Sequence, residues 1–211
     1  VVDGVDDLRK VVREHLRQGA HQIKIMVSGG IASPTDPIWM MQYSEEEIKI
    51  VVDEATRRRS YVMAHAYTAD TIERAVRLGV RSIEHGNLIN KAAAKVVSEE
   101  QAYVVPTLAT YEAVSKYGKE SGAPKEMLSK LIEVREKGFE AIEICKSTGV
   151  KLGFGTDLLG DLHKFQRDEF RLRREVETPF EILNSATAIN AEILQKSGEL
   201  GVIDEGAYAD L

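Results

Sequence analysis

Only one of the 211 residues is a cysteine, Cys145, so no disulfide can form within the chain and the fold must rest on packing. Its setting in the run AIEICKSTG reads as a helix, with the thiol in the core. A reducing, cytoplasmic compartment is the expectation. No apolar run reaches the roughly 18 residues that a membrane-spanning helix needs, and the opening VVDGVDDLRK has neither the basic nor the apolar stretch of a leader. Basic charge is short as well: 28 Lys and Arg stand against 34 Asp and Glu, a net charge of −6 that repels polyanions. Nucleic acid and membrane are therefore set aside as partners, leaving a small-molecule substrate and room for a homo-oligomer. Aromatics are sparse at 6%, yet 43% hydrophobic residues suffice for the core of one domain. No repeat of 20 to 50 residues points to a solenoid.

What the chain does have is alternation. Apolar positions recur at helical spacing over 5–18, 44–59, 69–78, 91–100, 125–148, 165–176 and 179–195. Between most of these lie the strand-like runs HQIKIMVS, YVMAHAY, RSIEHG, AYVVPTL and KLGFGTD, several preceded by a glycine stop such as Gly19, Gly79 or Gly149. Strands alternating with helices predict parallel βαβ units, and continuous apolar runs predict strands buried on both faces. Five such strands fit either an open doubly wound sheet or an arc of a TIM-type (β/α)8 barrel. The polar residues favour the arc. His65, His85 and Asp157 close their strands and Lys24 lies within its own, the placement from which barrel enzymes assemble a common site. Val1 opens directly in a helical pattern and GAYADL stops as a new strand begins, so both ends read as cut and targeting is not legible.

Alternation in HQIKIMVS puts Lys24 on the face opposite Ile23, Ile25 and Val27, pointing into the barrel. An isolated ammonium there is costly, so Lys24 is paired, deprotonated as a Schiff-base nucleophile, or carboxylated by carbon dioxide. In YVMAHAYT, Tyr61, Met63, His65 and Tyr67 share a face. A lone strand histidine is usually a satisfied core residue, but His85 ends the next strand 20 residues later, and paired neutral imidazoles suit zinc and similar metals. Glu84, next to His85, is expected to face the helical layer. Asp157 closes KLGFGTD either as the cap of a following helix or as a metal ligand that carries protons. His15, His21 and His163 read as structural or solvated.

The ordered set Lys24, His65, His85, Asp157 resembles the amidohydrolase superfamily. The runs QIKIMVSGGIASPTDP, AHAYTADTIERAVRLGVRSIEHGN, VVPTL and GFGTDLLG are similar to its imidazolonepropionase-related branch, which includes bacterial Xaa-Pro dipeptidases, and the likeness extends over essentially the whole chain. The resemblance implies strands four to eight of one amidohydrolase barrel, with the start of a small β-sandwich near 201–211. It implies two divalent ions, zinc by expectation, held by carboxylated Lys24 as a bridge with His65, His85 and Asp157. Tyr67 would bind the substrate's α-carboxylate. The reaction implied is attack of a metal-bridging hydroxide on the amide of an Xaa-Pro dipeptide or N-acyl amino acid, with Asp157 moving the proton. The family's first strand carries a His-x-His pair, and this sequence contains none. The rival readings are another amidohydrolase reaction on a cyclic amide, imidazolone or lactone; a metal-free Schiff-base lyase using Lys24; and a non-catalytic partial-barrel module.

Overall fold

The computed structural model describes residues 2–118 and 125–209. Each alternation read from the sequence becomes a βα step. Helix α1 (Val5–Arg17) leads into β1 (Ile23–Met26), and α2 (Glu45–Arg57) into β2 (Val62–Thr68). Then follow α3 (Ala69–Arg77), β3 (Ser82–Leu88), α4 (Lys91–Glu99) and β4 (Tyr103–Val105). All pairings are parallel and the strands lie in chain order, β1-β2-β3-β4-β5, with β5 at Lys151–Leu152. A doubly wound sheet reverses its order at a switch point; this one does not, which is the topology of a barrel arc.

Two of the helices start at full capping boxes. Ser44 and Glu47 form a reciprocal capping box at α2, and Thr178 and Glu181 do the same at α8 (Pro179–Asn184), whose Pro179 has no N–H to satisfy. Each cap is worth about 1 kcal/mol. The principal core lies on one side of the sheet. Ile23, Ile25, Val62, Ala64, Ala66, Ile83, Val104 and Leu152 point into it from the strands. Leu8, Val12, Ile48, Val51, Ile72, Val76, Val97 and Ile142 meet them from the helices, with Cys145 buried among them as expected. The other face carries Lys24, His65 and Tyr67, and at its lower end Tyr61, Tyr103 and Val105 pack against Ile193.

Three stretches depart from the periodicity. Pro106 follows the last strand residue of β4, and an unanticipated helix, α5 (Leu108–Tyr117), begins two residues later, ahead of the expected α6 (Lys125–Thr148). The run 179–195 is not one helix: α8 passes through a π-turn at Ser185–Ile189 into α9 (Asn190–Ile193). The expected helix at 165–176 is a 3-10 turn, Gly160–Phe165, then α7 (Asp168–Arg173). Beyond Leu152 one ladder bond remains, from Gly153 N to Val104 O at 2.8 Å, and the next pair of hydrogen bonds goes to a side chain. The Asn190 amide accepts from Phe154 N at 2.9 Å and donates to Phe154 O at 3.0 Å, standing in for a strand neighbour. A Cβ on Gly153 would lie 2.6 Å from Ile193 Cδ1 and 2.9 Å from Asn190 Oδ1, so any larger residue would have to displace the side chain that makes these bonds. Residues 201–209 run as turns and bends, and the last two residues of the expected sandwich start, 210 and 211, lie outside the described residues.

Candidate active site

Lys24 alternates with buried Ile23 and Ile25, as the pleat requires, and so stands on the inner face. It makes no ion pair among the described residues. Desolvation holds its amine below the ordinary lysine range, with Glu84 and then Asp157 acting in the opposite sense. Two residues along, Met26 pairs with His65. His65 is buried and its Nε2 donates to the Gly29 carbonyl at 3.1 Å. Because a carbonyl only accepts, that nitrogen carries the proton and Nδ1 keeps its lone pair. Burial, aided by Lys24, lowers the pKa to about 4 despite the Gly29 contact, so the ring is neutral at pH 7.

The expectation that Glu84 faces the helical layer is wrong. Glu84 is level with His65 in the β2–β3 ladder, while Ile83 enters the principal core. Simple alternation would then turn His85 away. Instead His85 (φ 78°) and Gly86 (φ 68°) adopt left-handed backbone, and the ladder slips between Ala66 and Thr68. The local twist keeps both Glu84 and His85 on the inner side, a side-chain re-aiming that bulges commonly produce. His85 packs edge to face against His65, ring centres 4.7 Å apart, and stacks on Tyr67 at 5.2 Å. Burial, then His65 and Lys24, push its pKa well below the usual value.

Two residues with no assigned role complete this wall. His85 Nδ1 lies 2.8 Å from Thr107 Oγ1, Thr107 donates to Tyr111 OH at 3.2 Å, and Tyr111 donates to Tyr67 OH at 3.3 Å. Thr107, at the N-cap of α5, follows β4 after Pro106, and Tyr111 is one turn into α5. That helix start is itself held from behind, where the buried carboxyl of Glu169 accepts from Ala109 N at 2.6 Å. Near it, buried Arg173 binds Glu177 and donates to the Gly153 carbonyl at 2.7 Å, bracing the strand that leads to Asp157. Of these residues, the only signal in sequence was Thr107, inside the quoted run VVPTL.

Asp157 closes that strand at φ 49°. It is not a helix cap: Leu159 occupies that position for the next turn, with no side-chain bond. The Asp157 carboxylate has no hydrogen-bond partner among the described residues. Desolvation raises its pKa, opposed by Lys24. His65, His85, Tyr67, Tyr111 and Asp157 line one cavity of about 570 Å³, of a size suited to a small-molecule ligand. Its far wall is apolar, with Ile31 from the loop after β1 and Met127 and Leu131 from α6. Lys130 ties those walls together, its ammonium donating to the carbonyls of Gly30, Ser33 and Asp36 at 2.6–3.1 Å. The remaining histidines, His15, His21 and His163, are exposed, and none of them lines this cavity.

Among the described residues, no three His, Cys, Asp or Glu side chains form a metal site by themselves. The donor chemistry nevertheless fits part of one. Two neutral imidazoles each spend one nitrogen on the protein, the usual outer-shell arrangement of ligating histidines, and an uncommitted carboxylate stands at the same cavity.

Comparisons with known proteins agree with this geometry. The model of the amidohydrolase family matches residues 1–211. Ochratoxinase from Aspergillus niger is 31% identical over 213 residues, covering 100% of this chain and 44% of that protein. A crystal structure of a prolidase complexed with N-methylphosphonate-L-proline superposes with a TM-score of 0.98 at 58% identity, covering 100% of this chain and 52% of the other. An Xaa-Pro dipeptidase with methionine bound in its active site gives 0.89 at 32% identity, covering 99% and 52%. The chain thus spans about half the length of the proteins it matches.

Proposed function

Because the chain belongs to the amidohydrolase family, we propose that it supplies the C-terminal arc of a metal-dependent hydrolase barrel that cleaves the amide of an Xaa-Pro dipeptide or an N-acyl amino acid. The observation that supports this reading is geometric: His65 and His85, ring centres 4.7 Å apart, line one cavity with the unpartnered carboxylate of Asp157, and Lys24 stands on the inner face of the neighbouring strand β1.

Members of this family generally use divalent ions. Lys24 in carboxylated form, His65, His85 and Asp157 are the residues that would hold them here. Ions so held supply a water of lowered pKa and polarise the scissile carbonyl. The rest is the work of the chain. Asp157 accepts the water's proton and passes it to the leaving nitrogen, a role open to a carboxylate with no other hydrogen-bond partner among the described residues. Tyr67 donates its phenol proton to the α-carboxylate of the residue that leaves. The apolar wall around Ile31 and Leu131 excludes water and strengthens both contacts. Residues 201–211 would lead into the small β-sandwich of the same domain.

The test is turnover by the whole protein on Xaa-Pro dipeptides, N-acyl amino acids and their amidated counterparts, before and after chelation. Turnover of the acids, abolished by chelator and restored by zinc, is the expected result. Full activity after exhaustive chelation, or covalent trapping of a carbonyl substrate on Lys24 by borohydride, would overturn it.

A further inference from the structure

The His85–Thr107–Tyr111–Tyr67 contacts have a direction: geometry orients the two hydroxyl bonds, and counting protons then orients the one to His85. Thr107 has one hydroxyl proton and gives it to Tyr111; Tyr111 has one and gives it to Tyr67. Thr107 can then meet His85 only as an acceptor, so His85 Nδ1 carries the ring proton and Nε2 keeps its lone pair. At the other end Tyr67 is already an acceptor, and its own proton has no acceptor among the described residues. Tyr67 lines the cavity. Four donors in file therefore start at a histidine and finish at a phenol that needs an acceptor from the ligand.

We propose that Thr107 and Tyr111 are positioning residues for this site, committing His85 to its Nδ1-protonated tautomer and turning the phenol proton of Tyr67 to the substrate's carboxylate. The choice of a carboxylate rests on the hydrolase reading above; the tautomer does not. Neither residue touches the reacting amide. Their placement depends on Pro106 ending β4 and on α5 starting at Leu108, which brings Thr107 and Tyr111 to one side of a single turn. An anion at Tyr67 strengthens each bond behind it, since donors in file polarise one another. Occupation of the carboxylate subsite is thereby felt at His85, making its free nitrogen the better donor when a carboxylate-bearing substrate is present.

The experiment uses the whole protein with Thr107→Val, Thr107→Ser and Tyr111→Phe. In metal-free samples, nitrogen-15 spectra of labelled histidine report the His85 tautomer. Unsubstituted protein and Thr107→Ser are expected to show Nδ1–H, and Thr107→Val a mixture, with the melting temperature of each recorded alongside. Calorimetry with L-proline and L-prolinamide as probes is expected to show a preference for the acid. Tyr111→Phe should shrink that preference about threefold to tenfold, the scale of one hydrogen bond between neutral groups, with amide binding unchanged. Adding Tyr67→Phe to Tyr111→Phe should lose no more than Tyr67→Phe alone. His85 protonated at Nε2, no acid preference in the unsubstituted protein, or equal loss of both probes in Tyr111→Phe overturns the proposal. Absent amide hydrolysis alongside an intact tautomer and acid preference would sink the hydrolase reading alone. Thr107→Val nearly preserves side-chain volume, so the tautomer measurement stands even if Tyr111→Phe does not fold.

Discussion

Glu84 stands level with His65 across the β2–β3 ladder, on the same inner face, although in sequence it adjoins His85. Its carboxylate accepts from Ser82 Oγ at 2.8 Å and is felt by Lys24, whose amine it holds up against desolvation. Glu84→Gln keeps the shape and an acceptor but removes the charge. The Lys24 pKa should then fall, read as faster acylation of Lys24 at pH 8 in competitive labelling of the metal-free protein. An unchanged labelling profile would show that the two groups do not sense one another.

Lys24→Ala should lose at least one divalent ion and most turnover from the whole protein. Short carboxylic acids added to that variant should restore part of both by filling the vacated place. Metal analysis beside turnover measures this, and the mass of the unsubstituted chain reports the added carboxyl group. An unmodified Lys24 in a fully metallated, active enzyme contradicts it.

Tyr67→Phe removes the donor proposed to hold the α-carboxylate. Binding of acids should weaken by about 1–3 kcal/mol, the range for a hydrogen bond to a charged partner. Amidated substrates should be nearly unaffected. Equal losses on both would show that Tyr67 does not read the carboxylate.

Lys130 bridges from α6 to three carbonyls of the loop after β1, whose Gly29 carbonyl also orients His65. Lys130→Met leaves three carbonyls without this donor and should raise KM several-fold while changing kcat little. Lys130→Arg should recover part of the loss. A fall in kcat alone would place the role of Lys130 elsewhere.

Glu169 is wholly buried, and desolvation lifts its pKa to about 8 in the folded chain. Between its unfolded value near 4.3 and about 8, the folded state holds a proton that the unfolded state has released. Its contribution is thus complete below that window and is lost as pH rises through it. Stability of the whole protein should show this downward component from pH 5 to 9 in thermal melts, and Glu169→Gln should flatten it. Identical pH slopes for the two proteins would refute the assignment.

Local pattern alone determined much of this protein. Period-two runs gave strands and placed Lys24, His65 and Tyr67 on one face, because a pleat lets side chains point only two ways. Apolar recurrence at helical spacing located α1 to α4 and α6, and terminal position marked Asp157. Tertiary structure decided what periodicity cannot encode. Nothing in the letters EHG announces left-handed backbone at His85, a conformation that a non-glycine residue adopts only where its surroundings stabilise it, yet that turn brings Glu84 and His85 to the same side. Thr107 lies 22 residues from His85, Tyr111 lies 44 from Tyr67, and Lys130 lies 100 from Gly30. Contacts at such separations are fixed by how helices seat on the sheet, so their partners became visible only once the chain had folded.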